Sequence, residues 1–293
     1  MVKYNPKDWF GLIFKFHKSD TFRKLIWVMV SIAIYAGLVV YISEEVLKLE
    51  PRSVTVMHSL LGFVISLLLV FRTNTAYDRW WEGRKQWGAL VNVSRNLALK
   101  IHAFIPAEDV ELRMRMFHSI WAYADVLRGH LRNNIEIEEL FSRIPDTIEV
   151  DTERKHVPNI IAEHMQLDTL TAFKKHDLSQ ASYLAMLEDV NAFTDICGAC
   201  ERIKKTPIPY NYNIFIKKFI FVYIVSMPLA FVGDFHYWTI LATLFTFYTL
   251  ASLELIAETI EDPFGIDPDD LPTDDLAITI RTNVEEIGAS IGM

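Results

Sequence analysis

The chain has 293 residues, of which 51 % are apolar and 13 % aromatic, and its formal net charge at pH 7 is −8. A net negative charge gives no electrostatic reason to expect nucleic acid as a partner. Two cysteines are too few for a disulfide framework in a chain of this length. The mean hydropathy is positive, +0.19, although 23 % of residues are charged, which indicates that apolar and charged residues are segregated along the chain.

Four segments contain no Asp, Glu, Lys or Arg: Leu25 to Ile42, Val54 to Phe71, Phe219 to Gly233, and Phe235 to Leu253. A helix needs roughly 20 apolar residues to cross a bilayer. The third segment is shorter and contains Pro228, so a buried helix of a soluble core is an alternative for it. Four such runs together are rare in soluble chains. The sequence therefore predicts four membrane-spanning helices, with the lipid bilayer as a partner.

Basic residues flank the spans on one side. They precede the first span, follow the second and precede the third, as Lys15, Lys18, Arg23, Lys24, Arg72, Arg79, Arg84, Lys85, Lys204, Lys205, Lys217 and Lys218. The short connections, residues 43–53 and the turn at Asp234, hold few. Lysine and arginine near span ends stay on the cytoplasmic side. We therefore expect a multi-pass protein of the cell (inner or plasma) membrane with both termini in the cytoplasm.

These predictions divide the chain into five parts. They are a cytoplasmic N-terminal segment (1–24), a first transmembrane helix pair (25–71), a helical cytoplasmic domain (72–218), a second transmembrane helix pair (219–253) and an acidic cytoplasmic C-terminal segment (254–293).

The long segment between the second and third spans has the pattern of helices. Apolar residues recur at helical spacing from Asp109 to Arg132 and from Ser179 to Lys205, and Pro207 ends the second run. The polar stretch from Pro145 to Pro158 predicts a loop. No strand-like alternation persists, so the sequence predicts an all-α membrane protein.

The second span carries an apolar stripe. Phe63, Leu67 and Phe71 fall at i, i+4 and i+8, which places them on one face of the helix. Such a stripe commonly faces lipid or a protein core. It can also line a pore, because a narrow ring of apolar side chains gates ions by dewetting. The spacing alone leaves both interpretations open.

Three longer motifs carry a family resemblance: FRTNTAYDRWWEGRKQWGALVNVSRNLA (71–98), ERIKKTPIPYNY (201–212) and EDPFGIDPDDLP (261–272). They resemble the signature of the bacterial and plant branch of the bestrophin family. The order and spacing of the spans also match, so the resemblance covers nearly the whole chain. It implies a homopentameric ion channel with a central pore formed by the second span of each subunit.

The resemblance also implies roles for individual residues. Phe63, Leu67 and Phe71 match the three apolar residues of the bestrophin pore neck, and Ile208 matches the residue of a second constriction, the cytoplasmic aperture. Animal and plant bestrophins conduct anions, while bacterial relatives include cation-selective channels. We expect an anion channel with chloride as the default permeant ion, and a cation-selective channel is the alternative.

Asp267, Asp269 and Asp270 are calcium candidates, because clustered carboxylate oxygens suit this ion. Animal bestrophins have a calcium clasp at the matching place, built from a nearly continuous acidic run. Here Ile266 and Pro268 interrupt that run. A solvated turn before a helix is the alternative, and we expect that no cofactor is required.

The chain lacks the short motifs of common enzymes. The chain has no phosphate-binding glycine loop, no His-Glu-x-x-His and no nucleophile elbow, so we expect no enzyme, although a membrane-anchored signalling or enzymatic protein remains an alternative. Cys197 and Cys200 lack two further zinc ligands at suitable spacing and are expected to be buried helix cysteines. Glu254, Glu258 and Glu261 are expected to pair with basic residues of the cytoplasmic domain, and binding of a metal or other cations is the alternative.

Overall fold

The structure, a computed structural model, describes residues 20–47, 55–132, 137–148 and 153–289. Within these ranges the secondary structure is helical and contains no strand. Most of the predicted N-terminal segment 1–24, and part of the 43–53 connection, lie outside the described residues. The described helices are α1 (Asp20–Tyr41, extended by a π-helical turn, Ile42–Val46), α2 (Thr55–Phe104), α3 (Val110–His130), α4 (Ile137–Phe141), α5 (Val157–Lys175), α6 (Gln180–Lys205), α7 (Tyr210–Phe235), α8 (Trp238–Glu261) and α9 (Thr273–Ala289).

The chain folds into two compact units. The first, here called the membrane unit, contains the described residues up to Arg79 together with Pro207–Glu261. The second, the helical unit, contains the described residues of 80–206 and 262–289. Helix α2 contributes residues to both. The predicted domain boundaries stay predictions, because compactness does not report where a bilayer ends.

Among the described helices, α1, α2, α7 and α8 are long and apolar enough to cross a membrane. They cover most of the four predicted segments, so the number and approximate position of the candidate spans agree with the sequence. The last span begins at Trp238 rather than at the predicted Phe235. Pro228 lies inside α7 without ending it. A proline is tolerated in a membrane helix because neighbouring helices and small local adjustments satisfy the freed backbone group.

Within the membrane unit, α1 packs against α7 and α8, and α7 against α8. One face of α2 joins this core through Ile65 and Leu69, which are 0 % and 1 % exposed. A Cβ on Gly62 would lie 2.7 Å from the Tyr223 hydroxyl, so the glycine leaves room on α2 for this side chain of α7. Small residues serve this purpose in membrane helix packing.

Helix α2 is longer than its span. The sequence pattern ended the second span at Phe71, whereas the helix continues to Phe104 over 50 residues. The change from apolar to charged residues after Phe71 alters the surroundings of the helix but breaks no backbone hydrogen bond. The next proline in the chain is Pro106, just beyond the last helical residue.

The helical unit is a bundle in which α3 packs against α5 and α9, and α5 against α6. The predicted helices 109–132 and 179–205 are confirmed as α3 and α6. Asp109 and Ser179 cap them by accepting hydrogen bonds from the backbone N–H groups of Leu112 and Ser182. The described part of the predicted loop ends at Val157, where α5 begins.

Candidate ion pore

The apolar stripe of α2 is exposed in the single chain. Phe63, Leu67 and Phe71 are 67 %, 45 % and 56 % exposed, although each is apolar. Ile65 and Leu69, on the opposite side of the helix, are fully buried within the membrane unit. Helix α2 therefore has one face packed inside its own chain and another face left free for lipid, a pore or a second copy of the chain.

The exposed stripe changes character along the helix. Val56 and Leu60 precede Phe63 on the same face and are also exposed. Towards the C-terminus, after Phe71, the same helical register reaches Asn74 and Asp78, which are exposed as well. The face thus runs from apolar residues to a carboxylate within one continuous helix.

Next to Phe71, the side chain of Arg72 turns inward and is only 1 % exposed. Its Nη2 atom lies 2.7 Å from Glu261 Oε2, and its Nε atom lies 3.6 Å from Glu254 Oε2. A buried charge is stable only when it is paired, because the desolvation cost is large. Arg72 therefore fixes α2 to the end of α8 directly beside the stripe.

Ile208, the predicted aperture residue, is held by the same carboxylate. Its backbone N–H donates to Glu261 Oε1 at 2.8 Å. Its side chain is 7 % exposed and packs with Ala76 and Ala257. The predicted neck residues are exposed in the single chain and Ile208 is not. The aperture assignment stays a prediction, and it requires the Ile208 side chain to leave this packing.

The three glutamates at the end of α8 pair with basic residues, as expected. Glu254 and Glu261 face Arg72, and Glu258 Oε2 lies 3.0 Å from Lys217 Nζ. The Lys217–Glu258 pair is about half exposed at both partners, so removing one partner should cost far less than it does in the buried pair.

The calcium candidates point in different directions. Asp267 and Asp269 are exposed, whereas Asp270 is 3 % exposed. Asp270 Oδ2 accepts a hydrogen bond from the Asp267 backbone N–H at 2.6 Å. Within the described ranges the three carboxylates do not form a convergent group of ligand atoms. Calcium binding there stays a prediction.

Burial controls the chemistry of Asp270. It raises the pKa of the carboxyl from 3.8 to about 6, in spite of the hydrogen bond from the Asp267 N–H, which lowers it. A Cβ on Gly265 would lie 2.6 Å from Asp270 Oδ2, so glycine is needed for the carboxyl to fold back over this turn.

Cys197 and Cys200 are buried free cysteines on α6, as predicted. Burial raises the pKa of the Cys197 thiol to about 12 and raises that of Cys200 further. Both thiols are therefore protonated at neutral pH, which makes them poor nucleophiles and poor metal ligands.

The sequence did not predict one cluster of side chains that could ligate a metal ion. His130, His156 and Glu201 come from three separate elements, yet their ligating atoms lie within 4.8 Å of one another. His130 and His156 are 71 and 45 residues from Glu201 along the chain. No short spacing motif connects such distant positions, so no local signal could have identified the cluster.

Comparison with known proteins places this geometry among membrane channels. A family model described as bacterial/fungal bestrophin protein matches residues 1–286. A voltage-dependent anion channel-forming protein of Nostoc sp. is 33 % identical over 96 % of this chain and 92 % of its own. A voltage-dependent anion channel-forming protein of Escherichia coli K12 is 29 % identical over 97 % of this chain and 93 % of its own. A crystal structure of a bacterial bestrophin homolog from Klebsiella pneumoniae matches with a TM-score of 0.83 and 25 % identity, over 90 % of this chain and 99 % of that one.

Proposed function

The chain belongs to the bestrophin family, and we propose that it is one subunit of an ion channel that passes anions, with chloride as the default permeant ion. Similar proteins from Nostoc sp., Synechocystis sp. and Escherichia coli are named voltage-dependent anion channel-forming proteins, which supports the anion assignment. The proposal includes a homopentamer in a cell membrane, with both termini in the cytoplasm.

The observation that carries the proposal is the exposed stripe of Phe63, Leu67 and Phe71 on a helix whose opposite face is packed. Five copies around one axis would bring five such stripes together into a neck of apolar rings. A narrow apolar ring dewets and so resists ion passage until it widens. The neck needs no cofactor, and its gating needs no enzymatic step.

Selectivity depends on the charge that an ion meets along the stripe. The positive edges of phenyl rings favour an anion if the edges of Phe63 and Phe71 face the axis. Asp78 acts in the opposite direction, because a ring of carboxylates on the same face attracts cations. The exposed carboxylate of Asp78 is the observation that favours the second candidate, a cation-selective channel of the same architecture.

The reversal potential in planar bilayers under a KCl gradient tests the proposal. Reversal near the chloride equilibrium potential would support the anion channel, and reversal near the potassium potential would keep the pore and assign cations. An assembled oligomer that carries no current would favour a membrane-anchored signalling or enzymatic protein instead.

A charge substitution sharpens the choice between ions. Asp78→Asn removes one negative charge per subunit from the stripe, so we expect the reversal potential to shift towards the chloride potential. Asp125→Asn in the helical unit is the matched control, and we expect it to leave the reversal potential unchanged. An unchanged potential in Asp78→Asn would exclude this residue from the conduction path.

A further inference from the structure

Two imidazoles and a carboxylate converge in the helical unit, at a place that plays no part in the proposed pore. His130 Nε2 and His156 Nε2 lie 2.6 Å and 2.8 Å from the same atom, Glu201 Oε1. His130 is the last residue of α3, His156 caps α5 and Glu201 lies near the end of α6. We propose that His130, His156 and Glu201 form a binding site for a divalent transition-metal ion of the zinc class.

The donor set selects the kind of ion. Two imidazole nitrogens with one carboxylate oxygen suit zinc and its neighbours among the transition metals. Calcium and magnesium prefer sets made of oxygen atoms, so the site discriminates against both. Three protein ligands leave a fourth tetrahedral position for water, as in zinc sites that remain open to an exchangeable ligand.

The three side chains must adjust to hold such an ion. Metal–ligand bonds of about 2.0–2.1 Å at tetrahedral angles place ligand atoms roughly 3.3 Å apart. The His130 and His156 nitrogens, which lie 2.6 Å and 2.8 Å from Glu201 Oε1, must therefore withdraw from it by about 0.7 Å and 0.5 Å. The ligand atoms lie within 4.8 Å of one another, so the two nitrogens need to approach each other by at most about 1.5 Å. All three residues are partly buried rather than sealed, with exposed fractions of 21 % for His130, 37 % for His156 and 18 % for Glu201, so an ion can reach them.

Hydrogen bonds hold the Glu201 carboxyl in its ionised form. Burial raises the pKa of this carboxyl, but hydrogen bonds from His130, Lys205 and His156 outweigh it and lower the pKa to about 2. Burial also lowers the pKa of His130, in spite of its hydrogen bond to Glu201. A metal ion would replace the two histidine hydrogen bonds, so each Nε2 proton must move to the other ring nitrogen or leave the site.

Two features oppose metal binding. His156 Nδ1 accepts the Asn159 backbone N–H at 3.2 Å, so the proton of its neutral ring lies on Nε2. Ligation through Nε2 moves that proton to Nδ1 and opens this cap of α5. Lys205 Nζ lies 3.0 Å from Glu201 Oε2, which leaves Oε1 as the metal-binding oxygen and places a positive charge nearby.

A bound ion would fasten the two ends of the segment between His130 and His156 to α6. An ion that binds only the folded state stabilises it by mass action. We therefore expect a rise in the melting temperature of the helical unit, independent of ion conduction.

The test uses the full chain, purified without a polyhistidine tag and stripped of metal by chelation. Zinc is titrated by calorimetry, and cobalt(II) reports tetrahedral coordination by its visible absorption. We expect one ion per chain, with a rise in melting temperature. His130→Ala and Glu201→Gln should each weaken binding by about tenfold or more, which is the scale on which loss of groups around a metal acts. His164→Ala removes another histidine of α5 outside the cluster and should bind as the parent does.

Three results would overturn the proposal. The first is no binding beyond a trace, and the second is equal affinity in the parent, His130→Ala and Glu201→Gln. The third is loss of binding in Cys197→Ser/Cys200→Ser with a cobalt–thiolate band in the parent, which would assign the metal to the cysteines. The size-exclusion profile and circular dichroism check the fold of each variant. If His130→Ala fails to assemble, the near-isosteric Glu201→Gln variant tests the site in its place. Current measurements play no part in this readout, so its failure leaves the channel proposal untouched.

Discussion

The membrane unit and the helical unit use the same residue types in opposite ways. In the membrane unit Trp27, Phe221 and Phe245 are 79 %, 68 % and 70 % exposed. In the helical unit Trp87 and Phe193 are fully buried. Apolar side chains avoid water, but a bilayer removes the need to hide them inside the chain. Exposure of an aromatic side chain is therefore unfavourable only where its surroundings are aqueous.

Charged groups differ in burial within each unit. In the membrane unit Arg72 is buried against Glu261 and Glu254, whereas the Lys217–Glu258 pair is half exposed. In the helical unit Asp168 is buried and pairs with Arg115, whereas the Arg281–Glu285 pair is exposed. An unpaired charge costs little free energy in water and much in a membrane interior. We therefore expect the effect of a substitution to depend on the surroundings of the side chain that it changes.

The largest expected effect is on conductance. Replacing Phe63, Leu67 and Phe71 together by alanine should raise single-channel conductance several-fold, because a wider apolar neck no longer dewets. Assembly should survive, because side chains that line a pore face its axis rather than the neighbouring subunit. Planar-bilayer recording of Leu241→Ala/Phe245→Ala, which removes exposed apolar groups from α8, is the control and should give parental conductance. Unchanged conductance in the triple variant would place the constriction elsewhere.

The next largest effect is expected on stability, at the buried ion pairs of Arg72. Arg72→Met leaves Glu261 and Glu254 unpaired, which should lower the free energy of unfolding by about 3–5 kcal/mol. Lys217→Met, which breaks the half-exposed pair with Glu258, should cost less than about 1 kcal/mol. Denaturant titration of the purified oligomer measures both. Equal costs would mean that the surroundings of Arg72 are as wet as those of Lys217.

A matched pair of leucines compares the two units directly. Leu127→Ala in the helical unit removes a fully buried side chain and should cost about 2–5 kcal/mol of unfolding free energy. Leu67→Ala in the membrane unit removes a side chain that is 45 % exposed and should cost less than about 1 kcal/mol. Thermal melts followed by near-ultraviolet circular dichroism would show the difference. A large cost at Leu67 would mean that its stripe is packed in the assembled oligomer.

The smallest effect concerns pH. The pKa of Asp270 is raised from 3.8 to about 6 in the folded chain, so its contribution favours folding below pH 3.8 and is lost as the pH rises to about 6. Asp270→Asn should remove this part of the pH dependence, at most about 3 kcal/mol, because its side chain cannot ionise. Melting temperatures of parent and variant between pH 4 and 7 measure the difference. Parallel curves would show that Asp270 does not titrate in this range.

Much of the fold could be predicted because it depends on local chemistry. Asp109 and Ser179 marked the starts of α3 and α6 because their side chains cap a helix wherever one begins. Helices α4 and α5 were not predicted, and α9 was predicted only as the helix that follows the solvated turn at Asp267–Asp270. In α5, Asp168 and Thr169 are buried together with the apolar residues. A prediction from residue polarity alone would therefore place these two side chains on the exposed face. Arg115 pairs with Asp168 at 2.7 Å, and only the fold places that partner there.

The candidate sites divide along the same line. Phe63, Leu67 and Phe71 could be found from spacing, because one helix sets their geometry. Ile208 could be matched by resemblance, but its burial against Ala76 and Ala257 depends on α8 and could not be foreseen. The role of Asp270 as an internal hydrogen-bond acceptor, rather than one of three outward carboxylates, likewise depends on how its turn folds back.

By itself, the sequence determined that the chain is a helical membrane protein with four candidate spans and one apolar stripe. These features follow from hydropathy and from the fixed period of the helix, which act over a few turns. Only the tertiary structure decided that Arg72 is buried against Glu261, that Ile208 is covered, and that His130, His156 and Glu201 meet. The physical reason is that contacts between residues far apart in the chain depend on how helices pack, which no local pattern specifies.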